Sequence, residues 1–244
     1  MLQSERRSIR IAGIMALAEI SKRAPEEYLE TIISMLATFI GEQSPRIKER
    51  DSNPREEHMP PDIVEALRVL SAASIRDDQK PLVVVELSDI DFSSWTLPLG
   101  DCCEFKFLRC LFQESEINYS IFSYMFAEKC DFRGAKFKNS EFIYSAFFDC
   151  ELDNASFDLC KFLEVDFHSS DFVRTIFFDV SFENTNFDSC DITLASFDAL
   201  PGGDDYDFTD CVYFESEQTR AEGRDNKPKG LKESILNELR PTGF

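Results

Sequence analysis

The sequence predicts a mainly β chain: a four-sided solenoid with an α-helical N-terminal region and a short C-terminal helix. Three observations predict it. Phe recurs every five residues through the middle of the chain, the charge is concentrated in that same middle, and the flanks carry helical apolar spacing instead. The chain has 244 residues with 26 Lys+Arg against 46 Asp+Glu, a net charge of −20, and 24 Phe but two His and nine Gly. With 43% hydrophobic residues it can build a core, so its acidity is not that of a disordered polyanion.

Stepping by five from Phe107 gives Phe112, Ile117, Phe122, Ala127, Phe132 and onward to Phe197, and fifteen of these nineteen positions are Phe. Two residues before most of them sits a small or slim residue, such as Cys110, Ser120, Ala135 or Thr175, with Phe105 and Met125 as exceptions. Neither the helix period of 3.6 nor the strand period of 2 yields this pattern. One large and one small inward residue in every five fit a flat side followed by a tight turn. Four sides close a coil of about twenty residues, and stacked coils bury a column of rings that no single coil could bury alone.

At a spacing of twenty, Phe137, Phe157, Phe177 and Phe197 fall in one column. So do Cys110, Cys130, Cys150, Ser170 and Cys190, stacked about 4.8 Å apart. Such a file of thiols cannot converge on one tetrahedral zinc, so the cysteines are expected to pack as small apolar residues. Eight cysteines without a pairing pattern point to a reducing, cytoplasmic setting.

Segments such as Ala135-Lys-Phe-Lys-Asn, Ala155-Ser-Phe-Asp-Leu, Thr185-Asn-Phe-Asp-Ser and Ala195-Ser-Phe-Asp-Ala resemble the signature of the pentapeptide-repeat family. The resemblance covers residues 82–200, with fainter early repeats at Leu82, Leu87, Phe92 and Leu97. It implies a right-handed quadrilateral β-helix and no particular activity.

The helical region is expected over residues 1–80, with a polar, Pro-containing linker at 42–60. Ile11, Ile14, Met15 and Leu17 form a first apolar stripe. A second helix opens at Pro25 with Glu26 and Glu27, carries Leu29, Ile32, Ile33, Leu36 and Ile40, and stops near Gly41. A third places Ile63, Leu67 and Leu70 on one side. The stretch from Ile9 to Pro25 is similar to the helical segment preceding the repeats in bacterial members of the family. Those relatives often carry membrane spans further upstream; this chain is a version without them or a shortened one. No run of about 18 apolar residues is present, and no signal peptide is expected. The helices are expected to cap the first coil, whose edges are otherwise unpaired. The repeat region is placed at 82–212 and a polar tail at 213–244. Pro201-Gly202-Gly203 breaks the period, and Leu231, Ile235, Leu236 and Leu239 form the C-terminal helix, a cap or a homodimer contact.

No catalytic, cofactor or metal residues are assigned. His168, Ser170 and Asp171 have the residue types of a hydrolase triad, but the register turns Ser170 inward and the other two out from different sides. Gly202-Gly203-Asp204 lacks the Lys-Ser/Thr of a phosphate loop. Outward positions that ought to be polar include Tyr124, Phe126, Ile143, Tyr144, Phe148 and Leu163, gathered near one edge. These are the candidate interface, for a protein partner or for the chain's own N-terminal helices.

Residues 82–212 hold 26 acids and 8 bases, and so −18 of the net charge. Over about 31 Å of stacked coils that is roughly 0.6 charge per Å, close to duplex DNA. Acidic surface excludes direct nucleic-acid binding. The resemblance implies an alternative function, since some family members are thought to imitate DNA on gyrase or topoisomerase IV. Asp153, Asp158, Glu183 and Asp188 are the candidate mimic residues. Unlike several of those proteins, this chain has no inserted loop in 105–199.

Overall fold

A computed structural model of the chain describes residues 1–23, 25–44, 59–74, 84–214, 228–231, 236 and 239–242. Three helices come first: α1 (Arg7–Arg23), α2 (Pro25–Gln43) and α3 (Pro61–Ser74). α2 buries Leu29, Ile32, Ile33, Leu36, Phe39 and Ile40, and α3 buries Ile63, Leu67 and Leu70, at the three- and four-residue spacing of one helical face. The stripe expected on α1 is corrected. Ile14 is buried, but Met15 is 56% exposed, because it lies about 100° further round the helix, away from the face that carries Gly13, Ile14 and Ser21 inward. Asp62 is 1% exposed and receives Arg10 Nε at 2.6 Å and Arg7 Nε at 3.6 Å. A buried carboxylate in the first turn of α3 thus pins α1 to α3.

The first coil contains β1 (Val85–Ser88), β2 (Thr96–Leu97) and β3 (Asp101–Cys103). α2 packs on β1 and α3 on β3, and Ser71 Oγ lies 3.4 Å from Cys102 Sγ. The described helices close the end of the stack.

Each strand then pairs in parallel with the strand twenty residues on. Val85 faces Phe105, Leu97 faces Ile117 and Cys102 faces Phe122; Phe137, Phe157 and Phe177 follow one another in the same way. Four sides result. The first is centred on Leu87, Phe107, Ala127, Phe147, Phe167 and Phe187, and the second on Phe92, Phe112, Phe132, Leu152, Phe172 and Ile192. The third carries Leu97, Ile117, Phe137, Phe157, Phe177 and Phe197, and the fourth Cys102, Phe122, Phe142, Phe162 and Phe182.

The corners explain why the period is five. From Glu104 to Leu194 every fifth residue has a positive φ, between 49° and 60° at the non-glycine positions. Left-handed backbone costs a non-glycine residue roughly 1–2 kcal/mol. Here the corner N–H groups from Glu104 to Arg174 also donate to a carbonyl of the next coil, as in Arg109 N to Glu128 O (2.8 Å), Tyr124 N to Ile143 O (2.8 Å) and Asp149 N to His168 O (3.0 Å). The second side closes with an extra bond back along the chain, such as Ala135 N to Phe132 O at 2.9 Å, placing φ > 0 where a type II turn needs it.

Within the coils the rings form columns. Phe157 lies 4.7 Å from Phe137 and 5.0 Å from Phe177, within 7° of parallel to each. Across the corner it meets Phe162 edge-on at 5.3 Å and 70°. Ring spacing along a column thus equals the rise between strands, and both favoured aromatic geometries are used.

The small inward residues do more than fill space. Cys110, Cys130 and Cys190 donate S–H to Leu87, Phe107 and Phe167 carbonyls at 3.3, 3.3 and 3.5 Å. Ser145 and Thr175 donate from equivalent positions to Phe122 and Leu152 at 3.2 and 2.7 Å. The thiols therefore pack as small buried residues and also donate to a backbone carbonyl, a bond that Ser145 and Thr175 share and that Ala135 and Val165 at equivalent positions do without. Burial pushes the Cys160 thiol up to about 12, as expected for an inert structural thiol.

The coil continues past Pro201-Gly202-Gly203. Register slips there by one residue, and Phe187 then pairs with Phe208. Phe208 stacks on Phe187 at 4.7 Å, and Cys211 takes the ladder position twenty-one residues after Cys190, donating to Phe187 O at 3.2 Å. The tail returns twice to the last coil. Phe197 N bonds Lys229 O at 2.8 Å, and Val212–Phe214 pairs with Arg240–Thr242. The C-terminal helix expected over 231–239, and the homodimer contact assigned to it, lie mostly outside the described residues.

Replacing Phe157 by Ala removes a ring with no exposed surface and is expected to destabilise the chain by about 3–5 kcal/mol in urea unfolding. Leu159→Ala, at a corner 45% exposed, is expected to stay within about 0.5 kcal/mol. Equal costs would place the register elsewhere.

Candidate interaction surface

The corner between the fourth and first sides gathers the six candidate apolar residues, whereas Tyr119, Leu159, Ile176 and Phe178, at 72%, 45%, 50% and 49% exposed, lie on the third side and its corner with the fourth. Tyr124 and Tyr144 occupy it in successive coils, their rings 5.1 Å apart and 19° from parallel. Ile143 and Leu163 face each other on the fourth side. Phe126 and Phe148 lie 5.4 Å apart on the first side, with His168 5.5 Å beyond Phe148. Tyr124 and Tyr144 are 37% and 45% exposed, and the other four are half-buried. The described helices pack mainly on β1 and β3 of the first coil.

The candidate mimic residues are not brought together. Asp153, Asp158, Glu183 and Asp188 each follow an inward centre by one, on the second, third, fourth and first sides respectively. Steps of five turn each of them a quarter of the way round, so they form no single surface. Asp158 also pairs with Lys138 at 3.2 Å and Asp188 with His168 Nδ1 at 2.7 Å. The His168, Ser170 and Asp171 set separates as expected: Ser170 Oγ is buried and donates to His168 O at 3.0 Å.

Charge is graded along the stack. Residues 101–140 hold six acids and six bases, 141–174 eight and two, and 175–212 nine acids and no Lys or Arg. In the neutral part the cations are used in rungs: Arg109 with Asp89 at 2.7 Å, Lys136 with Glu116 at 3.6 Å, and Arg133 with Glu151 at 3.0 Å.

A line of acids on the second side went unread in the sequence. Asp131, Glu151, Asp171 and Asp191 bridge one another in register, and stepping by twenty from Asp91 would have found them. Several act locally. Asp131 and Asp191 accept the backbone N–H two residues on at 3.1 and 2.9 Å, fixing the following turn. Partial burial, then Asp153, Asp191 and Glu151, push the Asp171 carboxyl above its usual value.

Two grooves of about 490 and 660 Å³ lie at the helical end, one between α1 and α2 and one between α2 and the first coil. Among the described residues no three His, Cys, Asp or Glu side chains are placed to hold a metal ion. No described helix is long and apolar enough to cross a membrane.

The raised carboxyl at Asp171 means its charge opposes folding at neutral pH. This contribution to stability is complete below about pH 4 and is lost as pH rises through the raised value. Asp171→Asn is therefore expected to stabilise the chain at pH 7, by less than ~1 kcal/mol because the carboxyl is only partly buried and solvent screens it. In urea unfolding the gain should shrink in 0.5 M salt (roughly a 4 Å Debye length) and vanish near pH 3. A loss of stability would mean that the carboxylate is needed as an acceptor.

No family model and no curated protein matches the chain. Solved structures do match. One is full-length QnrB1, a plasmid-mediated fluoroquinolone resistance protein: 16% identical, covering 63% of this chain and 88% of that one, with a TM-score of 0.31. Another is HetL, a pentapeptide repeat protein involved in heterocyst differentiation regulation from the cyanobacterium Nostoc sp. strain PCC 7120. It is 13% identical and covers 54% of this chain and 73% of that one, with a TM-score of 0.22. At these values the assignment rests on the chain's own register. Parallel coils of twenty residues, one inward centre in every five and a left-handed residue at each corner together give this chain the pentapeptide-repeat fold.

Proposed function

We propose that the chain is a non-enzymatic, cytoplasmic scaffold that binds another protein through the flank of its solenoid. One observation carries this reading: the contiguous strip of Tyr124, Phe126, Ile143, Tyr144, Phe148 and Leu163. Six outward apolar side chains on adjacent coils exceed what isolated surface hydrophobes would give, and such patches mark interfaces. Backbone ladders hold them, so the strip is rigid and loses little entropy when a partner docks. The Tyr144→Ala, Phe148→Ala double variant is expected to keep its unfolding midpoint and lose the proteins captured from host lysate at moderate salt. Undiminished capture would remove the strip as the interface.

The graded charge supports a second reading, imitation of a polyanion. Nine acids without a Lys or Arg across 175–212 make the C-terminal coils the part suited to a DNA-binding surface, such as that of a type II topoisomerase. On this reading binding falls steeply with salt and duplex DNA competes. Reversing Asp153, Asp158, Glu183 and Asp188 to Lys one at a time tests four different sides. The expected outcome is that one reversal dominates; salt-insensitive capture or equal effects would count against it.

A further inference from the structure

We propose that the aromatic corner receives an arginine side chain of the partner, its guanidinium laid on the outer face of Tyr144 and held by Glu164 and Glu183. The proposal rests on the reading of this strip as the interface and names what it recognises. Read one residue per coil, the corner runs Glu104, Tyr124, Tyr144, Glu164 and Asn184. The two rings stack on each other, which leaves the second face of Tyr144 towards the coil of Glu164. Glu164 N bonds Glu183 O at 2.8 Å, so these two acids adjoin at the end of the strip, one coil beyond Tyr144 and Leu163.

Among the described residues no Lys or Arg lies within 4.0 Å of Glu164 or Glu183. Glu141, in the same coil as Tyr144, is by contrast neutralised by Lys161 at 2.8 Å. The corner therefore offers an aromatic face, two carboxylates with no Lys or Arg among the described residues within 4.0 Å, and apolar neighbours at Ile143, Phe148 and Leu163. A planar guanidinium uses both: it stacks on a ring and forks onto a carboxylate, where an ammonium acts as a point charge. Phosphate-bearing ligands are repelled by the same acids, and charge complementarity suits the corner to a cationic protein segment.

The test uses the full chain and fluorescence anisotropy with a labelled octapeptide of alternating Arg and Leu. Matched peptides carry Lys or neutral citrulline in place of Arg. Binding of the Arg peptide is expected, about tenfold weaker with citrulline and about threefold weaker with Lys. Tyr144→Ala should weaken it about tenfold, Tyr144→Phe less than about twofold, and Glu164→Gln with Glu183→Gln about fivefold. Asp198→Asn, an exposed acid on the third side, should leave it unchanged. Equal binding of Arg and citrulline peptides, indifference to Tyr144→Ala, an equal loss at Asp198→Asn, or no peptide binding each overturns the proposal. Should the Tyr144→Ala, Phe148→Ala variant still lose its lysate partner in those cases, the strip remains an interface with another occupant. Should capture survive as well, both readings fall.

Discussion

Everything in this chain depends on the hydrogen bond between a corner and the coil above it. The corners place residues, nearly all of them non-glycine, at a φ near 55° and mostly use the N–H so presented on a carbonyl nineteen residues further on, as at Glu104, Arg109, Tyr124 and Glu164. A coil standing alone would keep the strained corners and lose the acceptors. Stacking is thus a condition of the coil's own geometry as well as a means of burying Phe, which is the physical content of a repeat that cannot fold singly. The ends then become the weak points. At one end α2 and α3 cover the first coil; at the other the tail adds Lys229 against Phe197 and Arg240–Thr242 against Val212–Phe214.

The core columns were legible because the constraint they obey is one-dimensional. With sides of five residues and coils of twenty, position along the chain determines position in space, and Phe157 could be placed between Phe137 and Phe177 without coordinates. Legibility stops where the period does. Met15 was misplaced because a single helix turn tolerates several stripes, and packing on α2 and α3 selects among them. The slip at 201–205 hid Phe208 and Cys211, since one inserted residue moves every later position off the count. The donor role of the thiols was hidden for another reason: residue identity gives size directly, whereas the acceptor, twenty-three residues back, belongs to the previous coil.

The surface was only half legible. Tyr124, Tyr144, Ile143 and Leu163 share a corner or an adjoining column, so counting by twenty groups them. Asp153, Asp158, Glu183 and Asp188 were grouped by charge instead, and steps of five carry them to four different sides. The same arithmetic exposes the register of Asp131, Glu151, Asp171 and Asp191, where partial burial, then the charges of Asp153, Asp191 and Glu151, raise the Asp171 carboxyl. On a solenoid, neighbours in sequence face different directions, and residues twenty apart share an environment.

A surface built this way has little freedom to adapt. The backbone of each side is held by ladder bonds above and below, and outward side chains repeat at the strand spacing whatever they are. Recognition must then come from the order of residues down a column. Most columns here mix polar and charged groups, with Ile176 and Phe178 exposed singly on the third side. The corner of Glu104, Tyr124, Tyr144, Glu164 and Asn184 differs, because two rings stack between acids at about 4.8 Å per step, a spacing a planar cation can enter only at the end of the pair. It also sits where the charge grade turns negative, between the balanced coils of 101–140 and the acids beyond 141. A cationic partner drawn by long-range attraction to the acidic end would meet the aromatic face at the boundary where that attraction begins to fall away. Attraction and contact are thereby assigned to different parts of one rigid rod, and a partner needs both to be held in a single register.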